Sequence, residues 1–131
     1  MIHEEICTYE VAKLAKEKGF NEHPPMYFHS GVKSDLREVG SNGANPNNIP
    51  YSPHISCPTQ TQLQRWLREE KRVVFGISPM QEMDCEDLGW CATIYKVDEN
   101  GYGLSWKEEL YYNTYELVLE NALKYALENL V

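Results

Sequence analysis

Apolar residues follow two rhythms along this chain. Over "TYEVAKLAKEKGF" (8–20), Val11, Leu14 and Ala15 recur at the three- and four-residue spacing of a helix lying on a core. Thr8 stands where an N-cap belongs, Gly19 supplies a left-handed stop, and Phe20 can fold back onto the last turn. The rhythm returns in "PTQTQLQRWLREEK" (58–71), where Leu63, Trp66 and Leu67 share a face and Thr59 and Gln62 have capping-box spacing. It is widest at the end of the chain, where Leu119, Ala122, Leu123, Ala126, Leu127 and Leu130 form one stripe. There Asn113 and Glu116 fit a capping box, and Tyr112 and Leu117 a hydrophobic staple.

The second rhythm is shorter and extended. "PPMYFHS" (24–30) reads as a short strand, with Pro24 and Pro25 suiting its start or an edge. "RVVFGI" (72–77) reads as a buried strand. "WCATIYKV" and "YGLSW" flank Asn100-Gly101, a dipeptide that favours a two-residue hairpin turn. Such a loop pairs Val97 with Leu104 and Tyr95 with Trp106, a cross-strand aromatic pair. Between the first strand and the second helix the pattern lapses. Fifteen of the 28 residues from Ser30 to Cys57 are Gly, Asn, Pro or Ser, so this stretch is expected as a loop-rich excursion, least ordered around 40–49.

These elements predict an α+β fold over residues 1–131 as a single domain, in the order α-β-(long loop)-α-β-β-β-α. A small antiparallel sheet of three or four strands would carry helices on one face. Trp66, Val74, Tyr95, Leu104, Trp106, Leu119 and Leu123 are the expected core.

Charge narrows the functional classes. The net charge of −8 comes wholly from residues 81–131, which hold eleven acidic and three basic side chains, while 1–80 hold nine of each. An acidic half repels phosphate and suits basic protein partners. No run approaches the roughly 20 apolar residues of a membrane span, and the acidic start does not read as a secretory signal, so the cytoplasm is the expected compartment. Cys7, Cys57, Cys85 and Cys91 are too scattered for a disulfide framework. With His54 they make only a ragged zinc set, so no metal or cofactor is called for.

Candidate chemistry is sparse. Gln62, Arg65, Arg68 (or Glu69) and Arg72 fall on the helix face opposite Leu63 and Leu67, where they could grip phosphates or base edges. Helix–strand–strand–strand–helix is also the order of a double-stranded-RNA-binding domain. That module needs a basic last helix, however, and here the last helix is acidic with a single Lys124, which disfavours nucleic acid. "DENGYGLSWKEE" (98–109) partly matches a calcium loop, but its flanks read as strands and the hairpin accounts for the same residues. Phosphate-loop, nucleophile-elbow and zinc-protease motifs are all missing. His54 near Cys57 would serve an enzyme only if a pocket joined them to an acidic residue. No catalytic residue is assigned.

The first helix, the "PTQTQLQRWLREE" stretch and the late "TYEL" helix resemble a group of small uncharacterised proteins found in prophages and mobile elements of gut bacteria. The resemblance covers about two thirds of the chain, leaving out 30–57 and 80–89. It implies a mobile-element setting and assigns no functional residue. The leading expectation is therefore a small non-enzymatic interaction or accessory protein, with an unknown protein partner or a second copy of itself. Nucleic-acid binding through Gln62, Arg65, Arg68 and Arg72 is the alternative, and an enzyme the third.

Overall fold

A computed structural model describes residues 5–39, 53–80, 89–98 and 104–131, with Met80 and 104–108 as backbone alone. The expected turn at 100–101 and the segment 40–49 lie outside them, as does the acidic stretch read as a loop at 80–89 except for its ends, Met80 and Gly89, which belong to strands. Among the described residues the elements are α1 (Tyr9–Glu17), β1 (Met26–Phe28), β2 (Leu36–Glu38), β3 (Ile55–Cys57), α2 (Gln60–Lys71), β4 (Val73–Met80), β5 (Gly89–Val97), β6 (Leu104–Tyr112) and α3 (Tyr115–Asn129). The class is α+β, as the pattern predicts. The chain divides into two compact units, Met1–Leu63 and Gln64–Val131.

The strands form two antiparallel three-stranded sheets, ordered β2-β1-β3 and β4-β5-β6. The expected single sheet becomes two because the 30–57 stretch supplies strands of its own. β2 and β3 flank β1, with Tyr27 opposite both Arg37 and Ser56. They are only three residues long and lie in a region rich in turn formers, so no alternating pattern announces them.

In the first unit, α1 keeps both predicted ends. The Thr8 hydroxyl accepts from the Val11 N–H at 3.3 Å. At the other end Gly19 takes φ 95°, the Gly19 N–H donates to Lys16 O, and the Phe20 N–H reaches back to Ala15 O at 2.9 Å. That is the double hydrogen bond of a Schellman stop, and it turns Phe20 into the interior. The buried face of α1 is Val11, Ala12 and Ala15. Ala12 packs with Phe28, Ile55 and Cys57, alternate residues of β1 and β3. Residues 5–7 add an edge, since Ile6 bridges Thr59 and the Cys7 N–H donates to Pro58 O.

In the second unit, β4-β5-β6 is a simple meander. Ala92 and Ile94 alternate inward from the central strand β5 and stand opposite Ile77 and Phe75 of β4. Helix α3 lies across all three strands. Its buried residues Val118, Leu119, Ala122, Leu123, Ala126 and Leu127 repeat at the helical period. Lys96 lies on the same sheet face as Ile94, and its Nζ donates to Leu130 O at 2.6 Å, satisfying a carbonyl at the helix end.

Two local expectations need correction. The α3 N-cap is Thr114, whose hydroxyl accepts from the Leu117 N–H, so the helix starts one residue later than an Asn113 cap implies. Leu117 consequently faces solvent and makes no staple. In the hairpin, Val97 stands opposite Leu104 as expected, but a bulge follows. Ser105 has no cross-strand partner, Trp106 stands opposite Lys96, and Tyr95 stands opposite Lys107. One extra residue exchanges the two faces of a strand, so positions 95 and 106 no longer share one. Of the expected core, Trp66, Leu119 and Leu123 are buried, while Val74 and Tyr95 are half-buried.

The glycines provide a test. A Cβ at Gly19 or Gly76 meets nothing within 4 Å, but only Gly19 has positive φ. Gly19→Ala should therefore destabilise the protein by about 1–2 kcal/mol through backbone strain alone. Gly76→Ala, in an extended strand, should be neutral or stabilising by up to about 1 kcal/mol. Urea unfolding of the two variants measures both; equal effects would remove the αL argument.

Candidate functional site

Among the described residues, one group of polar and titratable side chains comes together that the sequence gives no sign of. In the first unit, β1 runs into a 3-10 turn, His29–Gly31, in which Ser30 (φ 53°) and Gly31 (φ 70°) are both left-handed. A Cβ at residue 31 would meet Pro53 O at 2.9 Å, so this position needs glycine for space as well as for φ. The close approach brings 53–54 against 29–31. The Ser30 N–H donates to Nδ1 of His54 at 2.8 Å, which in the neutral ring places the proton on Nε2. The His29 and His54 rings lie 4.7 Å apart at 34°, and Tyr27 meets them edge-on at 6.0 and 5.3 Å.

Further contacts tie this turn to α1. The Tyr9 hydroxyl donates to Gly31 O at 3.0 Å, Lys16 Nζ donates to His54 O at 2.6 Å, and Lys33 pairs with Glu10 at 2.7 Å. The Glu10 hydrogen bond raises the Lys33 pKa, whereas burial lowers that of Lys16. The turn closes on itself through His29 N–H to Asp35 O at 2.8 Å. The Asp35 carboxylate is gripped by Arg37 at 2.9 and 3.1 Å; this hydrogen bonding lowers the Asp35 pKa and raises that of Arg37. Nδ1 of His29 is buried and has no hydrogen-bond partner among the described residues.

Chemically, this arrangement holds backbone. The His54 lone pair at Nδ1 accepts a main-chain N–H, and the Asp35 carboxylate is engaged by Arg37. The nucleophile–base reading of His54 and Cys57 fares similarly. Cys57 is fully buried and its Sγ donates to Cys7 O at 3.3 Å, so each of the two reactive atoms meets a backbone group. Among the described residues no group of three or more His, Cys, Asp or Glu side chains could hold a metal ion. Cys85 and residues 99–103 of the calcium-like stretch lie outside them.

The four residues singled out on α2 take different roles. Gln62 donates its backbone N–H to the Thr59 hydroxyl at 3.0 Å, as a capping box requires, but its side-chain amide donates to His23 O at 2.8 Å instead of returning to the cap. Arg65 and Arg68 are exposed on the helix. Arg72 lies beyond the helix at φ 59°, joining α2 to β4 in one left-handed step, and its Nη1 donates to Asp98 O at 3.0 Å. Lys71 lies 5.5 Å from the ring of buried Trp66.

A second surface gathers apolar groups. In the second unit the exposed large hydrophobics among the described residues all fall within seven positions: Tyr111 at 57%, Tyr115 at 40% and Leu117 at 46%. Tyr115 meets half-buried Trp90 edge-on at 5.4 Å. The Tyr111 hydroxyl donates to Glu109 at 2.9 Å, which raises the tyrosine pKa.

Comparison with protein-family models, with curated proteins and with solved structures finds no match for the chain. Among the described residues no helix is long and apolar enough to cross a membrane.

The two histidines separate holding from occupancy. His54→Phe keeps a ring but removes the acceptor for Ser30, and should cost about 1–3 kcal/mol with faster hydrogen exchange at the Ser30 amide. His29→Phe removes a buried nitrogen that has no partner among the described residues, and should be near neutral or stabilising. Unfolding and exchange measurements on the pair decide this; an equal loss in both would contradict the holding role.

Proposed function

We propose that the protein is a small non-enzymatic interaction module, acting in the cytoplasm as an accessory protein of a phage or mobile element. One observation carries this reading: the concentration of exposed Tyr111, Tyr115 and Leu117 where β6 passes into α3. Tyrosines that are rigid, amphipathic and exposed are favoured anchors of protein interfaces, because they bury large areas while losing little side-chain entropy. The acidic second half supplies a polar surround that favours a basic partner. The groups an enzyme would use, His54 and Cys57, are engaged with backbone. Tyr115→Ser with Leu117→Ser should leave folding intact and weaken partner binding at least about tenfold, the effect of losing one hot spot. Affinity purification from cells that encode the protein checks this. Unchanged recovery of a stoichiometric partner would contradict the reading, as would substrate turnover by the purified protein alone.

A second reading is nucleic-acid binding through Arg65 and Arg68, the two of the four residues singled out on this helix that stand exposed. It is favoured by the α2-β4-β5-β6-α3 order and by the exposure of those two arginines. Here Arg65→Glu with Arg68→Glu should abolish binding of labelled oligonucleotides at low salt without unfolding the protein. Fluorescence anisotropy makes the measurement; no binding by the unmodified protein ends this reading.

A further inference from the structure

The chain excursion between β1 and β3 is tied at its base by a titratable side chain. Phe28 and Ile55 form the last pair of the β1–β3 ladder. One step further the His29 and His54 rings stack at 4.7 Å, and the Ser30 N–H donates to Nδ1 of His54 at 2.8 Å, across 24 positions of chain. Other bonds here run to α1 instead: the Tyr9 hydroxyl donates to Gly31 O, and Lys16 Nζ to His54 O. Those two hold each side of the base separately, whereas the Ser30–His54 bond holds the two sides to each other. It also depends on protonation state. A neutral imidazole accepts through one nitrogen; an imidazolium carries a proton on both and accepts through neither. No rotation of a protonated His54 ring can therefore offer Ser30 an acceptor.

We propose that His54 is a pH-sensitive latch: neutral, it fastens the His29–Gly31 turn to the start of β3, and protonated, it releases the Ser30 amide. This latch belongs to the first unit and is independent of the apolar surface proposed for the second. The stability contributed by the bond is complete while the ring is neutral and is lost as pH falls and the ring charges. Among the described residues, Tyr27 of β1 and His29 of the turn face the ring, and Lys16 of α1 reaches the His54 carbonyl. From β3 comes the Cys57 thiol, whose Sγ donates to Cys7 O. Asp35, which interacts with His29, is gripped by Arg37, and Glu10 pairs with Lys33. These two carboxylates already serve other cations, and Lys16 adds positive charge beside position 54. The Phe28–Ile55 pair next to the latch is untouched, so release opens the base of the excursion without unfolding the sheet.

Amide hydrogen exchange on the full chain, followed by NMR from about pH 8 to pH 5, tests the latch over the span in which imidazoles change charge. The His54 ring titration is read in the same samples from its own carbon-bound proton shifts. The protection factor of the Ser30 amide, which corrects for the intrinsic pH dependence of exchange, should fall about three- to tenfold in step with that titration, as the loss of one hydrogen bond implies. The Val32 and Val39 amides, which donate to His29 O and Pro25 O, should keep their protection. His54→Asn sets an amide oxygen near the place of Nδ1 and cannot titrate, so the pH step at Ser30 should disappear. His29→Phe removes the neighbouring titratable ring and should leave the step in place. Ser30 protection that ignores the His54 titration would overturn the proposal, as would a His54 ring that takes up no proton in this range. The same fall in His54→Asn would overturn it too. So would a fall shared by Val32 and Val39, since acid would then be loosening the whole unit. A step that vanishes in His29→Phe would assign the proton to the other ring and end the proposal.

Discussion

The second unit depends on one contact, the apolar stripe of α3 laid across the inward face of β5. Ala92 and Ile94 are fully buried, as are Ala122, Leu123, Ala126 and Leu127 above them. Each large side chain taken from water contributes about 1.5–3 kcal/mol, and no single strand of a meander buries enough to be stable alone. The helix therefore holds the sheet together as much as the sheet holds the helix. This also explains where the polar groups end up. Lys96 lies on the covered face and remains tolerable because its ammonium reaches the Leu130 carbonyl at the helix end. Thr93 and Tyr95, on the opposite strand face, are free of that demand and are only half-buried.

The first unit solves a different problem. Its strands are three residues long, and its central pair is joined through a chain segment poor in apolar residues. Hydrophobic area is correspondingly small, with Ala12, Phe28, Ile55 and Cys57 as the cluster. Directed bonds make up part of the difference. Ser30 adopts a backbone region that costs an L-residue about 1–2 kcal/mol, and its amide is satisfied by an imidazole nitrogen instead of a carbonyl. Tyr9 and Lys16 on α1 then accept responsibility for two carbonyls of the same turn region. The His29–His54 stack is thus the visible centre of a hydrogen-bonded framework, and His54 is positioned by the backbone it holds.

How much of this could be read from the chain follows from the range of each interaction. The caps of α1 and α2, the stop at Gly19, the stripe of α3 and the direction of the hairpin are local, so spacing alone revealed them. The β6 bulge has no local signature, whereas the Thr114 cap repeats the Thr-Tyr-Glu start of α1 and was hidden by the competing Asn113–Glu116 spacing. The Tyr27–His29–His54 cluster joins residues 25 positions apart across strands too short to show alternation, and sequence offered nothing to connect them. Arg72 was legible as a helix-face arginine and is instead the left-handed joint between α2 and β4. Its side-chain type suggested a ligand, while its position after the last helical turn made it a connector.

Charge and exposed side chains act at different ranges on this surface. A net charge of −8 concentrated in residues 81–131 acts at long range: it repels polyanions and remains partly unscreened over the roughly 8 Å Debye length of physiological salt. Two exposed arginines on α2 act only at contact, and a contact preference is weak where the surrounding field opposes approach. Short-range association escapes this limit. A tyrosine at a strand end or on the first turn of a helix acts within a few ångströms, where local packing outweighs the sum of the charge. An acidic half thus opposes polyanions at long range without opposing an apolar contact at the start of α3.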